Sequence, residues 1–485
     1  MAPTYKEDSY LIFQPGSVNT LAKFGLEDPL GLPSHTFDTK VYKKKNEMLD
    51  ADGDQETLYT TENKQGDANE YEEILPIVQG QIVDITALQV FLKSVLHAVL
   101  KVEKDETVEK ENEENDNSEK EAKEELVMPL ENVNLLIVQN SSRWNPFHVE
   151  SLVKYGFEKL GVHSVSVVPI ELCVMFAYGS LANALVIDIG YEKTEILPIV
   201  DYQLFSPSKK VVFKGGDHIN KSLSKLLPSL SNDQIEELKR SSIFECLSEE
   251  DAKKSFFGME GLIENIEDDE KEDDGVLDIA AIVTSDKSTR EILEDTDTKN
   301  KKKVETRPNS ELETNQFQDT HGNIITVGKE RFQGCNELID SLVFHIYHCL
   351  RKIPDLKKRQ DCYDNIIFAG KTSKIKGLKE KVMFHLFERY VVLSDNKLLQ
   401  PQAQFRNDVR PVDDTSLGQV PRHLKIVPKV EYFSEWKKTG FEDCSFLGAQ
   451  ILSKQVFTAT NELCMTKDIT RNQGHLLFGI FVYNR

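Results

Sequence analysis

Apolar residues recur at helical spacing behind Asp84, a good N-cap. Leu88, Phe91, Leu92, Val95, Leu96, Val99 and Leu100 fall on one stripe and predict an amphipathic helix. A second stripe, Leu338, Leu342, Val343, Ile346 and Leu350, predicts another. A third helix opens at Gly216-Asp217 and carries Ile219, Leu223, Leu226 and Leu227. Between these lie short apolar runs, Val133 to Val138, Leu185 to Ile187 and Ile366 to Phe368, of the kind found in buried strands. Strands alternating with helices predict an α/β architecture.

Two further segments read as strand, glycine turn and returning strand. The first runs from Tyr10 through Gly16 and Ser17 to Gly25, and the second from Ala184 through Asp188 and Gly190 to Ile199. Glycine permits close backbone approach and φ > 0, so the N–H groups of such a turn can cradle phosphate. Two such turns in one chain imply a nucleotide clamp. A clamp of this kind needs a carboxylate to hold a hydrated metal on the phosphates. The second hairpin supplies Asp188, whereas the first offers Gln14.

Three segments break the pattern. Residues 101–125 hold twelve acids and five bases, and residues 264–274 hold eight acids and one lysine. Neither has the apolar content to offset ordering entropy, so both read as surface insertions. Residues 396–423, with Pro401, Pro411 and Pro421, read as a long loop.

Composition narrows the function classes. The 485 residues include 81 acids against 59 Lys and Arg, a formal charge of −22. Such a field repels phosphate backbones and argues against non-specific nucleic-acid binding as the main task; a basic protein or helix is the expected partner. Seven scattered cysteines with no CxxC pair read as reduced thiols of an intracellular protein. No run approaches the roughly 18 apolar residues of a membrane span, so no membrane partner is expected.

Several local motifs suggest chemistry. Gly370-Lys-Thr372 resembles the end of a P-loop, but Asn365 stands where the motif needs glycine. His345-Ile-Tyr-His-Cys349 offers metal-capable side chains on one helix; with no second cluster, a half-buried helix is the preferred reading. Lys299 to Lys303 reads equally as a nuclear import signal or a solvated insertion tip. Glu171 can orient water toward a phosphate held by Asp188, or it can sit at a helix N-terminus after Pro169, favoured by the helix dipole.

The order of these elements resembles the actin, sugar-kinase and chaperone-ATPase superfamily. Ile325-Thr-Val-Gly-Lys-Glu-Arg-Phe332, preceded by His321-Gly-Asn, is similar to an actin signature, as are Leu75 to Asp84 and Phe446 to Leu452. Among actin-related proteins, Glu435 to Gln455, Arg331 to Asn336 and Asp233 to Lys239 resemble the fungal ninth class. The resemblance implies a two-lobed fold of duplicated ribonuclease-H-like domains with acidic surface insertions. Residues 1–183 would form the first lobe, with an insertion at about 101–125. Residues 184–425 would form the second, with insertions at about 250–320 and 396–423, and residues 426–485 would return to the first.

The departures from actin bear on the site. Alignment through Gly16 and Ser17 puts Gln14 where actin has a metal-associated Asp and Leu21 where it has a phosphate-contacting Lys. Losing that cation removes a charge-assisted contact worth about 1.5 to 3 kcal/mol. The second hairpin keeps Asp188, Gly190 and Thr194, but Tyr191 and Glu192 occupy the turn, and Glu192 would bring negative charge toward the phosphates. Glu195 stands where actin has a histidine near the attacking water, and Glu171 aligns with the water-positioning glutamine. Actin's Gly-Gly-Thr-Thr corresponds to Ala369, Gly370, Lys371 and Thr372, where Lys371 offers a cation from the opposite wall.

The expected function is that of a nuclear, non-catalytic subunit of the SWI/SNF and RSC chromatin remodellers, with no metal and no bound cofactor. Gln14, Gly16, Ser17, Leu21, Glu171, Asp188, Gly190, Thr194, Gly370 and Thr372 would line a vestigial pocket. By resemblance the partners are a seventh-class actin-related protein, a helical segment of the motor ATPase and small accessory subunits, with the nucleosome met only through the complex. The partner groove would include Ala177, Tyr178 and Ser180. A nucleotide-binding switch or weak ATPase using ATP with Mg is the alternative, and an acidic histone chaperone is a second one.

Overall fold

A computed structural model describes residues 10–25, 31–45, 55–62, 64, 70–108, 133–246, 309–391, 420–430, 432–458 and 464–466. The acidic segment 264–274 and the basic run 299–303 lie outside them, as do residues 109–125 of the first acidic stretch and 396–419 of the long loop. The chain divides into two compact units: residues 1–218, 344–374 and 390–485 form one, and residues 219–343 and 375–389 form the other.

The first unit holds two mixed sheets built on one plan. In the first sheet, β1 (Tyr10–Pro15) pairs antiparallel with β2 (Asn19–Phe24), which pairs with β3 (His35–Asp38). On its other side β1 pairs parallel with β4 (Asn134–Gln139), and β4 with β5 (Ser164–Pro169). In the second sheet, β6 (Ala184–Ile189) pairs antiparallel with β7 (Thr194–Val200), and β7 with β8 (Lys210–Val212). On its other side β6 pairs parallel with β9 (Ile366–Ala369). The expected hairpins and all three expected buried strands are present.

Side-chain alternation splits the first sheet between two cores, as the two-residue period of a strand requires. Leu11, Phe13, Leu135 and Ile137 face α1 (Ile85–Val108), whose stripe from Leu88 to Leu100 is buried against them. Asp84 caps this helix, accepting from the Ala87 N–H at 2.9 Å. Helix α1 runs to Val108, so the acidic stretch after Lys101 begins as its last turns. Tyr10, Ile12, Leu136 and Val138 face the other core, with α2 (Ile170–Ala177) and the late helix Cys444–Thr458. These two helices approach so closely at Gly448 that an added Cβ would lie 1.6 Å from the Cys173 carbonyl oxygen.

Helix α3 (Gly216–Leu226) opens at the expected glycine, and α4 (Asn336–Leu350) buries Leu338, Leu342, Val343, Ile346 and Leu350. The second unit is organised around Arg331, whose fully buried guanidinium donates to the Asn309 side chain and to the carbonyls of Asn309, Leu312 and Gly328. Leu238, Ile243, Phe317 and Val327 form a small core in the same unit.

Candidate functional site

The two glycine turns share one construction. The Gly16 N–H donates to the Asn19 carbonyl at 3.0 Å, and the Gly190 N–H donates to the Lys193 carbonyl at 2.9 Å. A Cβ on Gly16 would lie 2.4 Å from that Asn19 oxygen, so only glycine closes the first turn. Ser17 follows, half-buried, within it. Gln14 and Leu21 are direct ladder partners, and so point to the same face. Gln14 donates to the Ser445 hydroxyl at 3.0 Å, while Leu21 is buried in the core with Tyr10 and Ile12. Where the resemblance places a carboxylate and an ammonium, this hairpin presents an amide and a packed hydrocarbon.

The second turn is braced from three sides. The Gly190 carbonyl accepts from the Thr372 hydroxyl at 2.9 Å and from the Gly216 N–H at 3.1 Å, and the Thr194 hydroxyl donates to the Lys214 carbonyl at 2.8 Å. Gly370, at φ +85°, brings the end of β9 against β6: its Cβ would lie 2.4 Å from the Ile189 carbonyl oxygen and 2.8 Å from the Asp188 carboxylate. Lys371 is exposed, and its charge bears on the half-buried Asp443.

Asp188 and Glu195 are ladder partners on the face between these braces. Glu195 is wholly buried and carries an ion pair on each oxygen, with Lys193 at 2.7 Å and Lys209 at 2.6 Å. The Ser141 hydroxyl adds a 2.5 Å hydrogen bond. Lys209 also bridges to Glu171 at 2.7 Å, and Lys193 donates to the Asn140 carbonyl at 2.8 Å. Burial alone would push the Glu195 carboxyl up, but the two ammonium groups override it and hold the acid well below the usual carboxylate range. Burial likewise acts against the charge on Lys209, and Glu171 and Glu195 reverse it. The two lysines and two glutamates neutralise one another inside the protein.

Asp188 stands apart from this balance. Among the described residues no hydrogen bond or ion pair holds its carboxylate. Burial raises it to about 6, with Lys193 opposing and Glu195 and Glu171 reinforcing. Glu171 does sit in the first turn of α2 after Pro169, as the dipole reading expects. Its carboxylate is engaged by Lys209 at 2.7 Å.

The sequence reading missed Lys193 and Lys209. A signal was available: Lys193 lies two residues before Glu195 and so shares its strand face, and a buried glutamate in a strand demands a cation. The space Lys193 crosses is kept by Gly80, at φ +73°, whose Cβ would lie 2.4 Å from the lysine Cε. Glu192 does not turn toward the pocket as expected. Its carboxylate accepts from the Gln79 N–H at 2.6 Å, while Arg143 donates to the Gln79 carbonyl at 2.9 Å.

Of the expected partner residues, Ala177 is buried in the core. Tyr178 is half-buried, its ring edge-on to Phe441 at 5.2 Å, and Ser180 is half-buried at φ +58°. In the His345–Cys349 motif Cys349 is buried against the Ile196 carbonyl, apart from a metal-binding arrangement. Among the described residues no cluster of three or more His, Cys, Asp or Glu is arranged to hold a metal.

Comparison with known proteins agrees with the sheet plan. The family described as Actin matches residues 5–404. The chain is also similar to the SWI/SNF and RSC complexes subunit arp9 of Schizosaccharomyces pombe, 26% identical over 531 aligned positions covering 94% of this chain and 95% of that protein.

Proposed function

Because the chain belongs to the actin family, we propose that it keeps the actin fold as an assembly surface and serves as a non-catalytic subunit of a nuclear ATP-dependent chromatin-remodelling complex. It pairs there with a second actin-related protein, of the seventh class, on a helical segment of the motor ATPase, with small accessory subunits beside it. The nucleosome is met only through the complex. The Schizosaccharomyces pombe relative, a subunit of the SWI/SNF and RSC complexes, supports this assignment. The chain's acidity favours fast, steered association with a basic helix.

The observation that carries the non-catalytic reading is the Lys193–Glu195–Lys209–Glu171 network. Its donor set does not fit a magnesium nucleotide. The turn of the first hairpin brings neither cation nor carboxylate, with Gln14 and Leu21 in place of both, Glu171 is bound by Lys209, and Lys193 and Lys209 both pair with protein carboxylates. Fold kept without site chemistry is what a scaffold requires. A tagged chain purified from nuclear extract should bring down a motor ATPase and a second actin-related protein in stoichiometric amounts; recovery of the chain alone, or with histones only, would contradict the assignment.

One observation favours a second reading. Asp188 is buried near the end of β6 and, among the described residues, no hydrogen bond or ion pair holds it. A cation brought to it, with or without a nucleotide, would relieve that strain, making the cleft a ligand-stabilised switch.

A further inference from the structure

The first unit carries a hollow of about 500 Å³ lined by Lys210, Phe344, His345, His348, Arg351 and Lys352. Five of these six side chains are basic, in a chain whose formal charge is −22. They come from two elements: Lys210 from β8, and the others from the end of α4 and the residues just after it. We propose that this hollow is a binding site for a soluble polyphosphate, a small ligand with two or more phosphate groups.

The helix dipole explains part of the cluster. Cations in the last turn of a helix are favoured, which covers His348 and Arg351. It does not explain Lys210, which arrives from a strand, or His345, a turn earlier. Like charges gathered around one hollow repel, and partial burial followed by Arg351, Lys210 and His345 holds the His348 imidazole below its usual range. A polyanion offsets the repulsion among these cations and their effect on His348, while the burial remains. Arg supplies a fork for phosphate oxygens and Lys a point charge, while imidazoles gain protons beside an anion.

Size and field select the ligand. A long polyanion would pass over the surrounding acidic surface, whereas a small one in the hollow feels mainly the local cations. Phe344 is 50% exposed, and its ring packs against His348 with centroids 4.2 Å apart and against His345 at 5.2 Å. It fixes the imidazoles and leaves an apolar wall for a ligand's organic body. Lys352 is already oriented, donating to the Pro207 carbonyl at 3.1 Å.

Calorimetric titration of the full chain with inorganic tripolyphosphate tests the site, repeated on Arg351→Glu, a change at an exposed position. Binding should weaken by about tenfold or more in the variant and should fall as salt rises. Histidine ring signals followed by NMR should shift on titration, with His348 protonating at higher pH in the complex. Equal binding by Arg351→Glu, binding of a glutamate peptide of the same charge as tightly as tripolyphosphate, or unmoved histidine signals would each overturn the proposal.

Discussion

At the scale of single residues, buried charge decides what the site can do. Glu195 is the acid that Lys193 and Lys209 share. Replacing it with Gln keeps the volume but removes the salt-bridge partner of Lys193 and leaves Lys209 with Glu171 alone, and should destabilise the protein by about 3 kcal/mol, read by denaturant unfolding. A depressed acid stabilises above its unfolded value and loses that contribution as pH falls through its folded one. The Glu195→Gln deficit should therefore be full at neutral pH and shrink steadily as pH falls below the unfolded value of 4.5. Asp188 has the opposite sign. Its carboxyl is raised from 3.8 to about 6, so the native state resists its ionisation: the penalty is absent below about pH 4, grows through pH 4 to 6 and is complete above. Asp188→Asn should raise stability above pH 6 by at most about 3 kcal/mol and have little effect near pH 4. A stabilising effect that persisted unchanged at pH 4 would contradict this origin.

At the scale of elements, what the sequence made legible follows from what its patterns encode. The α1 stripe, the apolar runs of β4, β6 and β9 and the glycines at 16, 190 and 216 each carry a local signal. Periodicity, continuous burial and turn geometry sit within a few residues. The ion-pair network does not. Lys209 meets Glu171 and Glu195 only after β7 and β8 align, and Gly80 matters only because Lys193 passes it. Glu192 was misread for the same reason, since the Gln79 N–H that captures it lies more than a hundred residues away. Helix contacts make a sharp prediction. Gly448→Ala places a methyl 1.6 Å from the Cys173 carbonyl oxygen, forcing apart α2 and the Cys444–Thr458 helix at a cost of about 3 kcal/mol. Thermal unfolding should show it, and unchanged stability would mean that the two helices separate freely. In the second unit, Arg331→Lys loses the guanidinium fork and leaves several of four acceptors without a donor, so a loss of about 3 kcal/mol is expected. A double variant with Gly448→Ala should be close to additive, as the two sites share no partner.

At the scale of the whole molecule, shape and site chemistry are separable. The actin fold is present in its sheets, while near Asp188 the charges of Lys193 and Lys209 meet those of Glu195 and Glu171. Tyr178 carries the corresponding expectation for assembly. Introducing Asp at this half-buried ring should weaken binding of a basic motor-ATPase helix, measured in a pull-down, and unchanged binding would place the partner elsewhere. The central claim is that the nucleotide site has become structural. Its most direct test is thermal unfolding of the purified full-length chain with and without saturating Mg-ATP. A functional site would add about 2.7 kcal/mol at a hundredfold excess over Kd, a shift of several degrees. The account predicts no shift in Tm; a clear rise with Mg-ATP that disappears in Asp188→Asn would contradict it.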